Sequence, residues 1–426
     1  MRASVRRWFG VLLMVAGGLS HADTYEYDEV GNLKTLSSPR GTRTYTYDEV
    51  DRLDTEAGFT GSRNHAYDVN GNRTTDAASA PGTPTTATYT SNTNRIVTIN
   101  GAAVSLDAAG QITNDGLNSY TWDDAGRLKT VSRAGQLRAT YHYDHKHRRT
   151  RKVSTAAAPQ GAKTIVYHYD DRDRLMAETS DTGVPIRSYA WADENLISQV
   201  EYAPNATSTG YDIARILYFE LDQLGTPRQA RERVGTIVWR WESNGYGTSA
   251  ANDDPDGNGQ PTTVNLRFPG QYFDEESGLH YNWHRYYVPR LGRYLSSDPI
   301  GIEGGWNTFS YVDGNPLGDT DIRGLAGSGR PTDLGAGTSI RIDKPHVPGQ
   351  QEHAHIKTPK GDVVINKDGT QSHKGRGSPG NMTQRVKDFL RGKGFNIPGL
   401  PPILDPCFLD PYQSFCPGSP LYCPDA

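Results

Sequence analysis

A motif of about twenty residues recurs along the first half of the chain. Each copy has two aromatic or His side chains separated by one residue, then an Asp, a turn and an apolar segment. One such unit cannot bury its apolar face alone, so repeated units stack side by side. A weaker copy lies around Leu106, Asp107 and Gly110. The clear copies begin at Tyr25, Tyr45, His65, Tyr120, Tyr141 and Tyr167, and a less regular one begins at Tyr189.

Each unit is predicted to be a β-hairpin. The alternation Tyr-x-Tyr places two aromatic side chains on one face of a strand. Asp-x-x-Gly is a turn signal, because Gly adopts positive φ and Asp accepts hydrogen bonds from nearby backbone N–H groups. The 46 Gly and 24 Tyr among 426 residues fit many short strands joined by tight turns. We therefore assign structural roles to the repeated Tyr and Asp residues.

The first 22 residues have the pattern of a secretory signal peptide. Arg2, Arg6 and Arg7 precede a mostly apolar run at 8–19, and a small-x-small pattern ends at Ala22. The apolar run is shorter than the roughly 20 residues of a membrane span. We expect cleavage after Ala22, a secreted, periplasmic or cell-surface location, and no membrane span after signal removal.

All three cysteines, Cys407, Cys416 and Cys423, lie near the end of the chain. Export permits one disulfide among them, and the odd number leaves one thiol over. The chain has no Cys-x-x-Cys pair, so a zinc site is not expected there.

The repeats resemble the YD repeats of the Rhs family, and the segment that follows is similar to the Rhs-associated core. Residues 218–228 are similar to the family segment H-x-D-x-L-G-T-P-R, with Glu220 where His is usual. Residues 267–325 follow the core signature nearly residue by residue. The resemblance covers 23–325 and implies a mainly β fold, a spiral sheet of hairpins forming a partial cocoon, followed by a small α+β C-terminal domain.

The resemblance also divides the chain into segments. The body at 23–325 is shorter than full Rhs repeat regions, so we expect an open curved sheet or a shell completed by another chain. The expected segments are a signal peptide at 1–22, YD repeats at 23–200, the core at 201–325, a linker at 326–340, a toxin domain at 341–400 and a Pro- and Cys-containing tail at 401–426.

A self-cleaving site in the core is a further implication of the resemblance. In the family, the core is an aspartyl autoprotease that frees the segment behind it. The matching residues are Asp298 and Asp321, with Arg285 as a supporting charge and Leu325–Ala326 as the scissile bond. Ile322 departs from the pattern, because Pro is usual there. The alternative is that both Asp residues only form turns.

The charge of the chain changes after Leu325. Residues 326–400 contain twelve Lys and Arg against six Asp and Glu, whereas the body before them is acidic. Such an asymmetry indicates different roles for the two parts. Within the basic part, the alternation at 352–356 predicts a strand with His353 and His355 on one face.

Other elements of the basic part are less marked. A second strand is predicted at 361–365, followed by a turn at 367–370. Thr383 is a candidate N-cap for a helix from Gln384 to Arg391.

Four His residues between 346 and 373 stand among Lys and Arg side chains. A metal-independent ribonuclease uses one His as base, another as acid, and cations to stabilise the phosphorane. The segment resembles small bacterial toxin RNase domains. A His-x-His pair also occurs in metal sites, and such a cluster can be non-catalytic. The candidate catalytic residues are His353, His355, His373, Lys374 and Arg376, with no metal or cofactor expected.

Together these features predict a secreted Rhs-type polymorphic toxin with a C-terminal nuclease, used between bacteria. The expected partners are a cognate immunity protein, RNA as substrate, and a delivery or shell-completing chain. The alternative is a structural or adhesive YD-repeat surface protein with a non-catalytic tail.

Overall fold

The computed structural model describes most of the chain between residues 23 and 397. The segment 1–22, the three cysteines, His346, His373, Lys374 and Arg376 lie outside the described residues, and the predictions about them stay predictions. The described ranges are 23–28, 31–58, 61–78, 84–207, 210–325, 327–329, 332–335, 338–343, 351–359, 361–371, 382–383, 386–387, 390–391 and 395–397.

The chain divides into two compact units. Unit 1 comprises Met1–Pro331 and Arg341–Gln350, and unit 2 comprises Thr332–Ile340 and Gln351–Ala426. In the described parts of the chain, no helix is both long enough and apolar enough to cross a membrane.

Unit 1 is built mainly from antiparallel strands that pair in the order of the chain, which confirms the mainly β fold. The first sheet has nine strands. They are β1 Thr24–Tyr27, β2 Leu33–Ser38, β3 Gly41–Tyr47, β4 Leu53–Gly58, β5 Gly61–Tyr67, β6 Arg73–Ala78, β7 Thr85–Tyr89, β8 Ile96–Ile99 and β9 Ala102–Ala103.

The second sheet has thirteen strands, which also pair in the order of the chain. They are β10 Ser105–Leu106, β11 Ile112–Asn114, β12 Ser119–Trp122, β13 Leu128–Arg133, β14 Gln136–Tyr143, β15 Arg149–Ser154, β16 Lys163–Tyr169, β17 Leu175–Thr179, β18 Pro185–Ala192, β19 Asn195–Pro204, β20 Tyr211–Leu221, β21 Pro227–Arg231 and β22 Ile237–Arg240.

Short elements follow the second sheet in the remainder of the core, here called the core segment of unit 1. A four-stranded sheet contains β23 Tyr272–Asp274, β24 Leu279–Asn282, β25 Arg285–Val288 and β26 Arg293–Tyr294. The 3-10 helices are Pro289–Leu291, Gly301–Gly304 and Val312–Gly314. They are followed by β27 Asp319–Thr320 and β28 Ser328–Gly329.

The Asp of each repeat organises the turn of its hairpin, as predicted. Asp48 Oδ1 accepts the N–H groups of Val50 at 3.1 Å and Arg52 at 3.0 Å, and Oδ2 accepts Arg52 Nε at 2.6 Å. Positive φ is not restricted to Gly, since Asp51 has φ 64° and His147 has φ 62° at the Gly position. The Asp side chain therefore supports the turn in copies without Gly.

The second aromatic residue of each repeat ties it to the preceding repeat. Tyr47 Oη donates to the Leu33 carbonyl at 2.9 Å, and Tyr67 Oη donates to the Leu53 carbonyl at 2.7 Å. The same bond joins Tyr89 to Arg73, Tyr143 to Leu128 and Tyr169 to Arg149, and Nε1 of Trp122 and Trp191 donates equivalently to Ile112 and Leu175.

Buried charges join the second sheet to the core segment. Arg149 Nη1 lies 2.5 Å from Asp274 Oδ2, and Lys152 Nζ lies 2.9 Å from Asp274 Oδ1 and 3.2 Å from Glu276 Oε2. Burial alone would raise the pKa of Asp274, but the two cations hold it below its usual value. This network was not predicted, because the repeat pattern gives no sign of the partner of Arg149.

The first sheet also packs against a later segment of unit 1. Arg43 Nη1 donates to the Ser243 carbonyl at 2.6 Å, and the Gly245 N–H donates to Glu56 Oε2 at 2.9 Å. The apolar cluster beneath them contains Leu33, Tyr45, Leu53, Tyr246 and Leu317.

Strands occupy part of the segment that composition predicts as a linker. β29 Thr332–Gly335 pairs with β30 Thr338–Asp343, with Thr332 opposite Ile340. Backbone ladders require N–H and C=O groups rather than large side chains, so a Gly- and Ser-rich segment can still pair.

Unit 2 contains a hairpin of β31 His353–Lys357 and β32 Val363–Asn366, close to the predicted strands. Val386, Lys387, Leu390 and Arg391 are helical, and the remainder of the predicted helix lies outside the described residues. The Val386 N–H lies 3.4 Å from Thr383 Oγ1, consistent with the predicted cap.

We predict that Tyr47→Phe lowers the free energy of unfolding by about 1 kcal/mol, because the Leu33 carbonyl loses its hydrogen-bond donor. Urea unfolding of the full chain measures this change. Tyr211→Phe is the control, since that side chain is 42% exposed on β20. Equal effects of the two substitutions would contradict a role for the repeat-to-repeat bond.

Candidate active site

Three buried charged side chains converge in the core segment. Arg285 lies at the start of β25, Asp298 follows β26, and Asp321 directly follows β27. Arg285 Nη2 is 2.9 Å from Asp298 Oδ2 and 3.1 Å from Asp321 Oδ2. The structure therefore brings together the three charged residues that the resemblance singled out, although they are far apart in sequence.

Asp321 is held by donors from several directions. Tyr294 Oη donates to Asp321 Oδ2 at 2.7 Å, and the Leu325 N–H donates to Asp321 Oδ1 at 3.0 Å. Asn282 Nδ2 donates to the Asp321 carbonyl at 2.8 Å. Sequence reasoning missed Tyr294 and Asn282, because a Tyr and an Asn on strands carry no signal of what they contact.

Asp298 differs from Asp321 in its surroundings. Its Oδ1 accepts the Ile300 N–H at 3.0 Å. Burial raises the pKa of Asp298 to about 7, Arg285 opposes that shift, and Asp321 adds to it. At neutral pH a large fraction of Asp298 therefore keeps its proton, which is the state of a general acid.

Leu325 lies between the two carboxyl groups. Its N–H is bound to Asp321, and its carbonyl oxygen faces the same side of Gly304 as Asp298 Oδ2. A Cβ at Gly304 would collide with both of these oxygens, so they share one small space that a side chain would fill. The predicted scissile residue is thus placed beside both predicted carboxylates.

Close backbone approaches fix the segment from Asp321 to Leu325, here called the strap. Arg285 Nε donates to the Gly324 carbonyl at 2.5 Å. Gly324 has φ +66°, and a Cβ there would collide with the Asn282 carbonyl. A Cβ at Gly270 would likewise collide with the Ile322 carbonyl. Ile322 forms a bend at the position where Pro is usual.

The model of the Teneurin YD-shell matches residues 44–311 of the chain. The chain belongs to this family. The matched region contains the repeats from Tyr45 onward, as well as Arg285 and Asp298. The YD-shell assignment agrees with the Rhs/YD-repeat resemblance of the sequence.

Relatives of this YD-shell chain include named toxins. It is 35% identical over 233 residues to double-stranded DNA deaminase toxin A of Burkholderia cenocepacia, covering 49% of this chain and 15% of the toxin. It is 33% identical over 263 residues to toxin protein Tse5 of Pseudomonas aeruginosa, covering 54% of this chain and 19% of that toxin. It is 29% identical over 263 residues to tRNA nuclease WapA of Bacillus subtilis, covering 60% of this chain and 10% of the nuclease. The alignments therefore span less than a fifth of each toxin.

Solved structures share the YD-shell fold. The TcdB2–TccC3 crystal structure matches with a TM-score of 0.57 and 22% identity, covering 71% of this chain and 17% of that chain. The Photorhabdus luminescens Tc holotoxin pore matches with a TM-score of 0.55 and 21% identity, covering 72% of this chain and 17% of that chain. At this identity the likeness concerns the fold.

The other candidate residues lie in unit 2, which follows the YD-shell core in the sequence. The rings of His353 and His355 on β31 are 5.1 Å apart, with ligand nitrogens within 4.8 Å of each other. His353 Nδ1 lies 3.1 Å from the Gln351 carbonyl oxygen. The pair can serve either acid–base chemistry or metal binding, and their predicted partners His373, Lys374 and Arg376 lie outside the described residues.

We predict that Gly324→Ala destabilises the YD-shell core by about 1–3 kcal/mol more than Gly278→Ala. Both Gly residues have positive φ, but a Cβ at Gly278 meets no atom within 4 Å. The difference between the two variants therefore isolates the close approach of the strap to Asn282. Urea unfolding measures this difference. Equal losses of stability in the two variants would contradict a close contact between the strap and Asn282.

Proposed function

We propose that the chain is a polymorphic toxin whose core cuts its own backbone after Leu325 and releases the basic C-terminal piece. The observation that carries this proposal is the placement of Leu325. Its N–H contacts Asp321, its carbonyl oxygen lies beside Asp298, and Arg285 joins the two carboxyl groups.

The arrangement fits hydrolysis by a carboxyl pair. Protonated Asp298 donates to the Leu325 carbonyl oxygen, which polarises the carbon for attack. The Asp321 carboxylate accepts a proton from the attacking water, and Arg285 stabilises the negative charge of the pair. The nitrogen of Ala326 then takes the proton that Asp321 accepted, and the C–N bond breaks. A hydroxyl of the intermediate returns its proton to Asp298, and Leu325 becomes a new carboxyl terminus.

We predict that Asp298→Asn and Asp321→Asn each leave the chain intact, whereas the unchanged chain separates into pieces that end at Leu325 and begin at Ala326. The chain without residues 1–22, produced inside cells, is analysed by intact mass and N-terminal sequencing. The rate is measured on uncut chain, recovered unfolded from inclusion bodies in urea and refolded at several pH values. Cleavage should slow above pH 7, because Asp298 loses its proton with a pKa of about 7.

Asp254→Asn is the matched control for this experiment. Asp254 also precedes a Pro, but it lies in the 252–260 loop, where its carboxylate accepts the N–H groups of Asn258 and Gly259 at 3.0 Å. This variant should cleave normally. Cleavage of Asp298→Asn at the normal rate, or a rate constant that does not change between pH 5 and 9, would contradict the mechanism.

We further propose that the released piece is a ribonuclease directed against neighbouring bacteria. The support is the basic charge of 326–400, the paired rings of His353 and His355, and the likeness of the body to named toxins. The named toxins include a DNA deaminase and a tRNA nuclease, so the effector class rests on the His cluster. Export through the N-terminal segment and a small acidic immunity protein belong to the same proposal.

The second candidate is a metal-dependent nuclease, which the closeness of the His353 and His355 nitrogens favours. The remaining alternative is a structural or adhesive surface protein. Such a protein differs from both nucleases in one measurable respect, since of these three candidates only the nucleases would stop growth when produced inside a cell.

We predict that the chain without residues 1–22 arrests growth and degrades cellular RNA, and that His353→Ala and His373→Ala abolish both effects. His145→Ala is the control, because that His lies exposed in a repeat turn. Growth is followed after induction, and total RNA is examined on gels. RNA cleavage by the purified chain in EDTA separates the metal-independent mechanism from the metal-dependent one. Equal growth arrest by all three variants would overturn the assignment of the His residues.

A further inference from the structure

A small pocket lies where the third repeat meets the core segment of unit 1. Arg73 at the start of β6 and Arg293 at the start of β26 both line it. Asn72, Asn307 and Tyr246 contribute polar groups to the same wall. The pocket therefore joins residues more than 200 positions apart around two guanidinium groups.

Arg293 is buried and makes no ion pair with a carboxylate among the described residues, although Tyr89 and the more distant Asp68 favour its charged form. Only 4% of the residue is exposed, and its Nη1 and Nη2 donate to Asn72 Oδ1 at 3.3 Å and the Asn94 carbonyl at 2.8 Å. Its Nε is buried with no hydrogen-bond partner among the described residues. The Phe309 ring, 4.5 Å from the guanidinium carbon, offsets only part of the charge. Consistent with this, burial lowers the pKa of Arg293.

Arg73 is only partly balanced. Its Nη2 lies 3.7 Å from Asp76 Oδ2, but Asp76 also binds Arg63 Nη1 at 2.9 Å. Nη2 of Arg73 donates to the Arg290 carbonyl at 2.8 Å, whereas Nη1 is buried and has no partner in the described part of the chain. Burial opposes the charge of Arg73, but Asp76 raises its pKa above the usual value, so the uncompensated charge at this pocket is mainly that of Arg293.

We propose that this pocket binds a single small inorganic anion, with chloride as the occupant. Burying an unbalanced charge is costly, and an anion between the two arginines removes that cost. The pocket has room for about one water-sized group, which excludes phosphate and nucleotides. Neutral water fits the space but leaves the charges unbalanced.

The position of the site gives the anion a structural role. It attaches the third repeat to β26, and the residue after Arg293 is Tyr294, which donates to Asp321. Bound chloride therefore stabilises the packing of the first sheet against the core segment. This inference does not depend on self-cleavage or on the nature of the C-terminal piece.

The test is thermal unfolding of the full chain in sodium chloride and sodium gluconate at constant ionic strength. We expect the unfolding temperature to rise with the logarithm of the chloride concentration once that concentration exceeds the dissociation constant, by about 5 °C at 100 times this constant. Arg293→Gln should lose this dependence. Equal unfolding temperatures of the unchanged chain in the two salts would overturn the proposal.

Arg267→Gln is the matched control. Arg267 is also buried, and burial lowers its pKa to about 9, but it donates to the Val264 carbonyl at 2.7 Å and does not line this pocket. This variant should keep the chloride dependence, and its loss there would count against a localised site. If either variant fails to fold, anomalous diffraction from the unchanged chain in bromide decides the question. A bromide peak between Arg73 and Arg293 supports the site, and its absence overturns it.

Discussion

The hydrogen bond between the second aromatic side chain of one repeat and a backbone carbonyl of the preceding repeat sets the spacing on which the rest of unit 1 depends. Tyr47, Tyr67 and Tyr169 all make it, each to the first residue of the preceding return strand. Slipping a strand by one residue would turn these rings to the other face. The bond and the Asp-supported turn therefore define one register for the whole sheet, and all later contacts rely on it.

That register places charged side chains of the repeats against the core segment. Arg149 and Lys152 on β15 meet Asp274 and Glu276, and Glu56 on β4 meets the backbone of Gly245. Removing one partner of such a buried pair leaves an uncompensated charge, which costs about 3–5 kcal/mol. These contacts select one docking of the core segment on the sheet, because any other docking would leave the charges unpaired.

The candidate active site depends on this docking. The four-stranded sheet β23–β26 supplies Arg285 and Tyr294. The strap packs closely at Gly270 and Gly324, where the neighbouring backbone leaves no room for a Cβ. The two carboxyl groups therefore have different surroundings. Burial raises the pKa of Asp298, whereas the Asp321 carboxylate accepts three hydrogen bonds. The same closeness holds Leu325 beside both groups, where autoproteolysis would require it.

The hairpin repeats, their turns and the family could be predicted from the residue pattern, since alternation and Asp-x-x-Gly spacing are local properties of the chain. It also identified Arg285, Asp298 and Asp321 through resemblance. The folded structure was needed to find that Arg149 pairs with Asp274, that Tyr294 supports Asp321, and that Arg73 and Arg293 share one pocket. These pairs are far apart in sequence, and no local pattern encodes a partner that is met only after the sheet has packed on its core.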